Sequence, residues 1–210
     1  MTHFLNAHLA LRCEKEILMF PKFAPLRYME ARSRLNGGTG YGCHVQINQL
    51  LTAQKVEPRP FLEKLAEADW QILYLKRLDI VRQSISTILA THRRQWVAYS
   101  SDEIDIQPIV ILPDELHQWL CRRIDHLQQE AEALCNIPHL PIIYEHDLRD
   151  AANHQATMDR VFDFLSLPRT NVVAETKRLS KDTPQDSIAN YAELMDSIRN
   201  TEFAQYTDLC

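Results

Sequence analysis

The stretch "LYLKRLDIVRQSISTILA" (residues 73–90) changes period in its middle, and that change decides the fold class. With the residues just before it, "QILYLKR" (71–77) is a short apolar run that reads as a buried strand. From Asp79 onward, Val81, Ile85, Ile88 and Leu89 recur at helical spacing, so a helix capped by Asp79 follows the strand. On that wheel Arg82 and Ser86 (i, i+4) point away from the sheet, while Ser84 turns toward the core. An arginine such as Arg77, at a strand's C-terminal end beside a helix N-terminus, suits a phosphate group. The free N–H groups and the dipole favour the anion, and the guanidinium adds charge-assisted hydrogen bonds. The same spacing also fits an exposed cap among ordinary surface residues.

Other segments extend the alternation. "PIIYEH" (141–146) reads as a second strand and "GYGCHVQI" (40–47) as a weaker third. Leu116, Trp119, Leu120, Ile124, Leu127 and Leu134 form one helical stripe; Met158, Val161, Phe162 and Leu165 form another. Ile188, Tyr191, Leu194, Met195 and Ile198 form a further one. Pro113-Asp114 starts the longest helix, and Pro138 lies just past its end. Strands that each precede a helix predict an α/β layered fold with a largely parallel sheet. The Ser/Thr/Asn/Lys-rich piece 170–187 reads as a surface loop. No repeat, low-complexity tract or linker interrupts the chain, so one domain is expected.

Composition narrows the function classes. The 210 residues suffice for one sizeable core. With 23 basic against 28 acidic side chains, the formal charge of -5 excludes a globally basic nucleic-acid coat but allows a local basic pocket. No apolar run approaches the ~20 residues of a membrane span. The opening "MTHFLNAHLALRCEKE" has no signal-peptide pattern. Five cysteines, an odd number without CxxC spacing, read as reduced thiols, so the cytoplasm is the expected compartment.

All four glycines lie in "NGGTGYG" (36–42), which raises the question of a phosphate loop. A Walker loop needs Lys-Ser/Thr after its last glycine, but Cys43 and His44 follow Gly42. A dinucleotide loop needs Gly-x-Gly-x-x-Gly before a helix, whereas here Gly38-x-Gly40-x-Gly42 leads into β-like sequence. The cluster reads as a turn entering a strand.

Four segments, in order along the chain, resemble the sulfotransferases that use 3′-phosphoadenosine 5′-phosphosulfate (PAPS), the bacterial type above all. Residues 73–90 resemble their 3′-phosphate-binding strand and helix, which reads R-x-D-x-x-x-Q-x-x-S. "FLNAHLALRCEKEIL" (4–18), "YEHDLRDAANHQATMDRVFDFLSLP" (144–168) and "SIANYAELMDSIRNTEFAQY" (187–206) are similar to three more family segments. The resemblance implies a P-loop-like sulfotransferase fold, with a central, mostly parallel sheet flanked by helices. It implies sulfuryl transfer from PAPS as co-substrate to an acceptor hydroxyl of a carbohydrate or small metabolite, with no metal, no nucleic acid and no membrane span.

Carried over by position, Arg77 and Ser86 hold the 3′-phosphate. Ser84 is the rival, because the step from Arg77 to Ser86 is nine residues where many relatives use eight. Glu16 becomes the general base, although Lys15 stands where relatives often carry glycine. His44 is the alternative base, and Lys181 falls near a frequent family lysine. Residues 20–40 and 95–113 are the expected acceptor lining.

The family's 5′-phosphosulfate loop, R/K-S-G-S/T-S/T, precedes the helix that corresponds to "THFLNAH". The expectation is therefore one sulfotransferase-like domain over residues 1–210, N-terminally truncated, with its first strand missing. Three readings stay open: an enzyme whose start lies upstream, a non-catalytic relative that keeps a 3′-phosphonucleotide pocket, and a protein-interaction module. A missing strand leaves an unpaired sheet edge, which predicts aggregation or a homodimer.

Overall fold

A computed structural model describes residues 1–36, 40–96, 98–99, 107–173, 176–177 and 184–209. The chain is α/β, and it divides into two compact units. One comprises Met1–Lys76 and His126–Ala174, the other Arg77–Asp125 and Glu175–Cys210.

The first unit opens with helix α1 (Thr2–Asn6), strand β1 (Leu11–Glu14), helix α2 (Pro25–Arg34) and strand β2 (Gly40–Cys43). A π-helical turn (Gln49–Gln54), helix α3 (Pro58–Glu67) and strand β3 (Ile72–Lys76) follow. β1 and β2 pair in parallel with Cys13 beside Gly42 and Leu11 beside Gly40. This register explains both strand glycines. A Cβ on Gly42 would stand 2.8 Å from Cys13 Sγ, and one on Gly40 2.8 Å from Leu11 Cδ2 and 3.1 Å from the Ala10 carbonyl. Glycine here lets side chains of the neighbouring strand lie across β2. Gly37 and Gly38 fall outside the described residues, so only the strand half of the glycine reading is visible.

The edge of β1 is covered from within the unit. Asn6, closing α1, accepts from the Cys13 N–H at 2.6 Å and donates to the Cys13 carbonyl at 3.0 Å. One side-chain amide thus satisfies the backbone groups that a further strand would otherwise take.

The second unit opens at Arg77 with helix α4 (Ile80–Arg93), whose buried residues include Val81, Ile85, Ile88 and Leu89, the predicted stripe. Strand β4 (Ala98–Tyr99) pairs antiparallel with β6 (Thr176–Lys177). The piece read as a loop, 170–187, therefore holds a short strand and a 3-10 turn at Pro184–Ser187. Helix α7 (Tyr191–Arg199) buries Leu194, Met195 and Ile198, and a 3-10 segment (Glu202–Leu209) ends the unit. Asn190, before α7, receives the Ile111 N–H at 3.1 Å and donates to the Ile111 carbonyl at 2.9 Å.

Helix α5 (Pro113–Leu134) begins at the predicted Pro113-Asp114, and its halves belong to different units. Beyond it, strand β5 (His139–Ile143) pairs in parallel with β3, and helix α6 (His154–Phe164) completes the first unit. "PIIYEH" is strand only through Ile143; Tyr144–Leu148 coils into a π-helical turn. The Asp147 carboxylate accepts from the Ile143 N–H at 2.6 Å, which bends the chain there.

Leu11, Cys13, Leu73 and Leu140 all pack on one cluster built from Phe4, Leu5, Ile142, Met158, Val161 and Phe162. Both parallel pairs therefore cover the same core, between α1 and α6. Among the described residues no ladder joins the pairs, so the expected single sheet is realised as separate two-stranded ladders. A continuous sheet would need a strand hydrogen-bonded to both. No helix among the described residues is long and apolar enough to cross a membrane.

Candidate functional site

In the second unit the candidate residues lie at and just before the start of α4. Asp79 adopts a non-helical conformation (φ -79, ψ 83), and its carboxylate accepts from the Arg82 N–H at 2.8 Å. The predicted N-cap is present, and burial to 3% exposure fixes it in place. Arg77 directly follows the last residue of β3 and is half-buried. Ser84 is buried, while Ser86 is half-buried and so reachable. The wheel's distinction between the two serines matches their burial.

In the first unit two carboxylates occupy the end of β1. Glu14 closes the strand. Its oxygens accept from Arg32 Nε at 3.1 Å, from a second Arg32 nitrogen and from the Tyr41 hydroxyl at 2.7 Å, with Arg12 at 3.8 Å. The hydrogen bonds from Arg32 hold the Glu14 carboxyl below the usual carboxylate range, while burial and the bond to Glu14 push the Tyr41 phenol up. The pattern is a saturated structural ion pair. Sequence reasoning missed it: Arg32 lies 18 residues and Tyr41 27 residues from Glu14, and no local spacing signals such a triad.

Glu16 has other surroundings. Its backbone is left-handed (φ 45), a conformation that glycine adopts without strain. One oxygen accepts from Gln46 Nε2 at 3.0 Å and lies 4.0 Å from His44 Nδ1. The structure thus brings together Glu16 and His44, the two residues named as alternative bases, at the C-terminal ends of β1 and β2. Burial keeps the His44 imidazole below its ordinary range, and the Glu16 charge opposes that shift. A neutral imidazole beside a carboxylate can relay a proton or orient a hydroxyl.

The thiols in the same ladder are poor candidates for nucleophiles. Burial pushes Cys13 up to about 11 and Cys43 up to about 12, so neither forms thiolate readily. Glu16 belongs to one unit, Arg77 and Ser86 to the other. Lys181 and much of 95–113 lie outside the described residues. Within 20–40, α2 occupies the middle of the expected acceptor lining.

Comparison of the chain with protein-family models, with curated proteins and with solved structures returned no match in any of the three.

Proposed function

We propose that this chain is a sulfotransferase-type protein that binds PAPS and transfers its sulfuryl group to a hydroxyl of a carbohydrate or small metabolite. The observation that supports this reading best is the junction at Asp79. Within one unit, Arg77 just ahead of the capped start of α4 and a half-buried Ser86 on that helix are groups that suit a 3′-phosphate. In this reading Arg77 and Ser86 hold the phosphate. Glu16 takes the proton of the acceptor hydroxyl, with Gln46 orienting its carboxylate. The acceptor oxygen bonds to sulfur as the bond between sulfur and the bridging phosphate oxygen breaks, in line, and adenosine 3′,5′-bisphosphate leaves.

A second reading is a relative of the same family that binds the nucleotide without turnover. Titration calorimetry with adenosine 3′,5′-bisphosphate tests the pocket common to both. Binding in the micromolar range, weakened about tenfold or more in Arg77→Ala, is expected from the loss of a charge-assisted hydrogen bond. No binding to the wild-type chain overturns both readings.

A further inference from the structure

The loop between β1 and α2 exposes the largest apolar side chains of its neighbourhood. Met19, Phe20 and Phe23 are 52%, 70% and 108% exposed. Such exposure is ordinary for a floppy segment, but this loop is tied down. The buried Gln54 donates through Nε2 to the Leu18 carbonyl at 2.7 Å and to the Phe20 carbonyl at 2.8 Å. Its Oε1 accepts from the Lys22 N–H at 2.9 Å. Leu18 and Met29 anchor the two ends in a core shared with Leu50 and Phe61. Three hydrogen bonds from one buried amide therefore hold the backbone so that its apolar tip stays out in water.

Charge completes the picture. In "ILMFPKFAPLRYM" (17–29) the charged residues are Lys22 and Arg27, both cationic, although the whole chain carries -5. The Lys22 ammonium sits 4.6 Å from the centre of the Tyr28 ring, at the base of the tip. Phenylalanines pointing outward with cations beside them are the composition of an interfacial anchor. The rings enter the acyl boundary while the cations stay among the headgroups.

We infer that residues 18–24 form a clamped wedge that docks the protein on an anionic lipid surface, without spanning it. This inference is independent of sulfuryl transfer. A second copy of the chain is the weaker occupant. Three side chains of this size cover roughly 500 Å², short of the ~800 Å² per partner that a stable dimer buries.

The test is co-sedimentation of the full chain with phosphatidylcholine vesicles, with and without phosphatidylglycerol. The wild type should partition to the anionic vesicles and lose that binding as salt rises. Phe20→Ser/Phe23→Ser should lower the partition coefficient roughly tenfold or more, and Lys22→Gln by about fivefold on anionic vesicles only. Both variants change exposed or partly exposed positions, and an unchanged urea midpoint confirms that they fold. Failure of the wild type to bind anionic vesicles, or equal binding by the double variant, overturns the proposal. So does a wild-type dimer in light scattering that the double variant converts to monomer, because the wedge would then be a subunit contact.

Discussion

Glu14 and Glu16 stand two residues apart at the end of one strand, yet their surroundings differ in every respect that matters for chemistry. Glu14 keeps regular strand geometry, is 17% exposed and has both oxygens committed to Arg32 and Tyr41. Glu16 is turned by a left-handed backbone, is 32% exposed, and its described contacts are one amide donor and a histidine ring. Sequence alone treats them as neighbours of the same type. The structure shows that a carboxylate's partners, not its identity, separate a fastener from a candidate base.

The sharpest way to break this comparison is to remove each charge while keeping the shape. Under the proposed sulfuryl transfer, Glu16→Gln should reduce turnover by about 10²–10⁴-fold, the usual contribution of a general base. At slightly alkaline pH its stability in urea unfolding should stay within about 0.5 kcal/mol of wild type. Retained turnover in that variant would place the base elsewhere and leave Glu16 with no role that Glu14 lacks.

A steric test comes next in size. Gly42→Val places carbon 2.8 Å from Cys13 Sγ and should destabilise by about 1–3 kcal/mol. Cys13→Ala in the same chain should recover much of that loss, because it clears the space across the ladder. No recovery would mean that the strands pair in another register, and then the positions of Glu14 and Glu16 would change as well. Somewhat smaller is Glu14→Gln, which removes the charge and replaces one of the two accepting oxygens with an NH2 donor facing Arg32 or Tyr41. Arg32 is well solvated, so the expected cost is only about 1–2 kcal/mol in urea unfolding. An unchanged midpoint would show that the triad fastens nothing.

What was legible in the sequence follows the same division between local and distant partners. The strand at 72–76, the Asp79 cap and the buried stripe of α4 depend on residues within a few positions of each other, and periodicity reveals them. The start of α5 at Pro113 is equally local. Strand β1 was not legible, because "LRCE" has two charged residues in four and owes its strand character to Gly40–Cys43 across the ladder. The tail of "PIIYEH" was misread because the Asp147 bond to the Ile143 N–H bends the chain, which composition does not display. At the site, Ser84 and Ser86 took the burial that the wheel assigned them, while Asp79, which also fitted an exposed cap, is buried. The meeting of Glu16, His44 and Gln46 depends on strand pairing across some 30 residues, and only the fold reveals it.

That meeting also gives the smallest expected effect, a pH dependence whose sign can be worked out. Burial holds His44 below its ordinary value, and Glu16 pulls it back up. The folded chain therefore prefers the neutral ring. The corresponding stability is fully present above the unfolded histidine value of about 6.5 and is lost as pH falls through the lowered folded value. The side chain is 47% exposed, so the loss is modest. Urea midpoints taken from pH 8 downward should fall more steeply for wild type than for His44→Gln, which has no proton to gain. Glu16→Gln should fall more steeply still. Without the carboxylate nothing counters the burial, the folded value drops further, and the gap between folded and unfolded histidine widens. Equal acid-side slopes in all three proteins would mean that Glu16 and His44 do not sense each other in solution, which would remove the histidine from any proton-relay role.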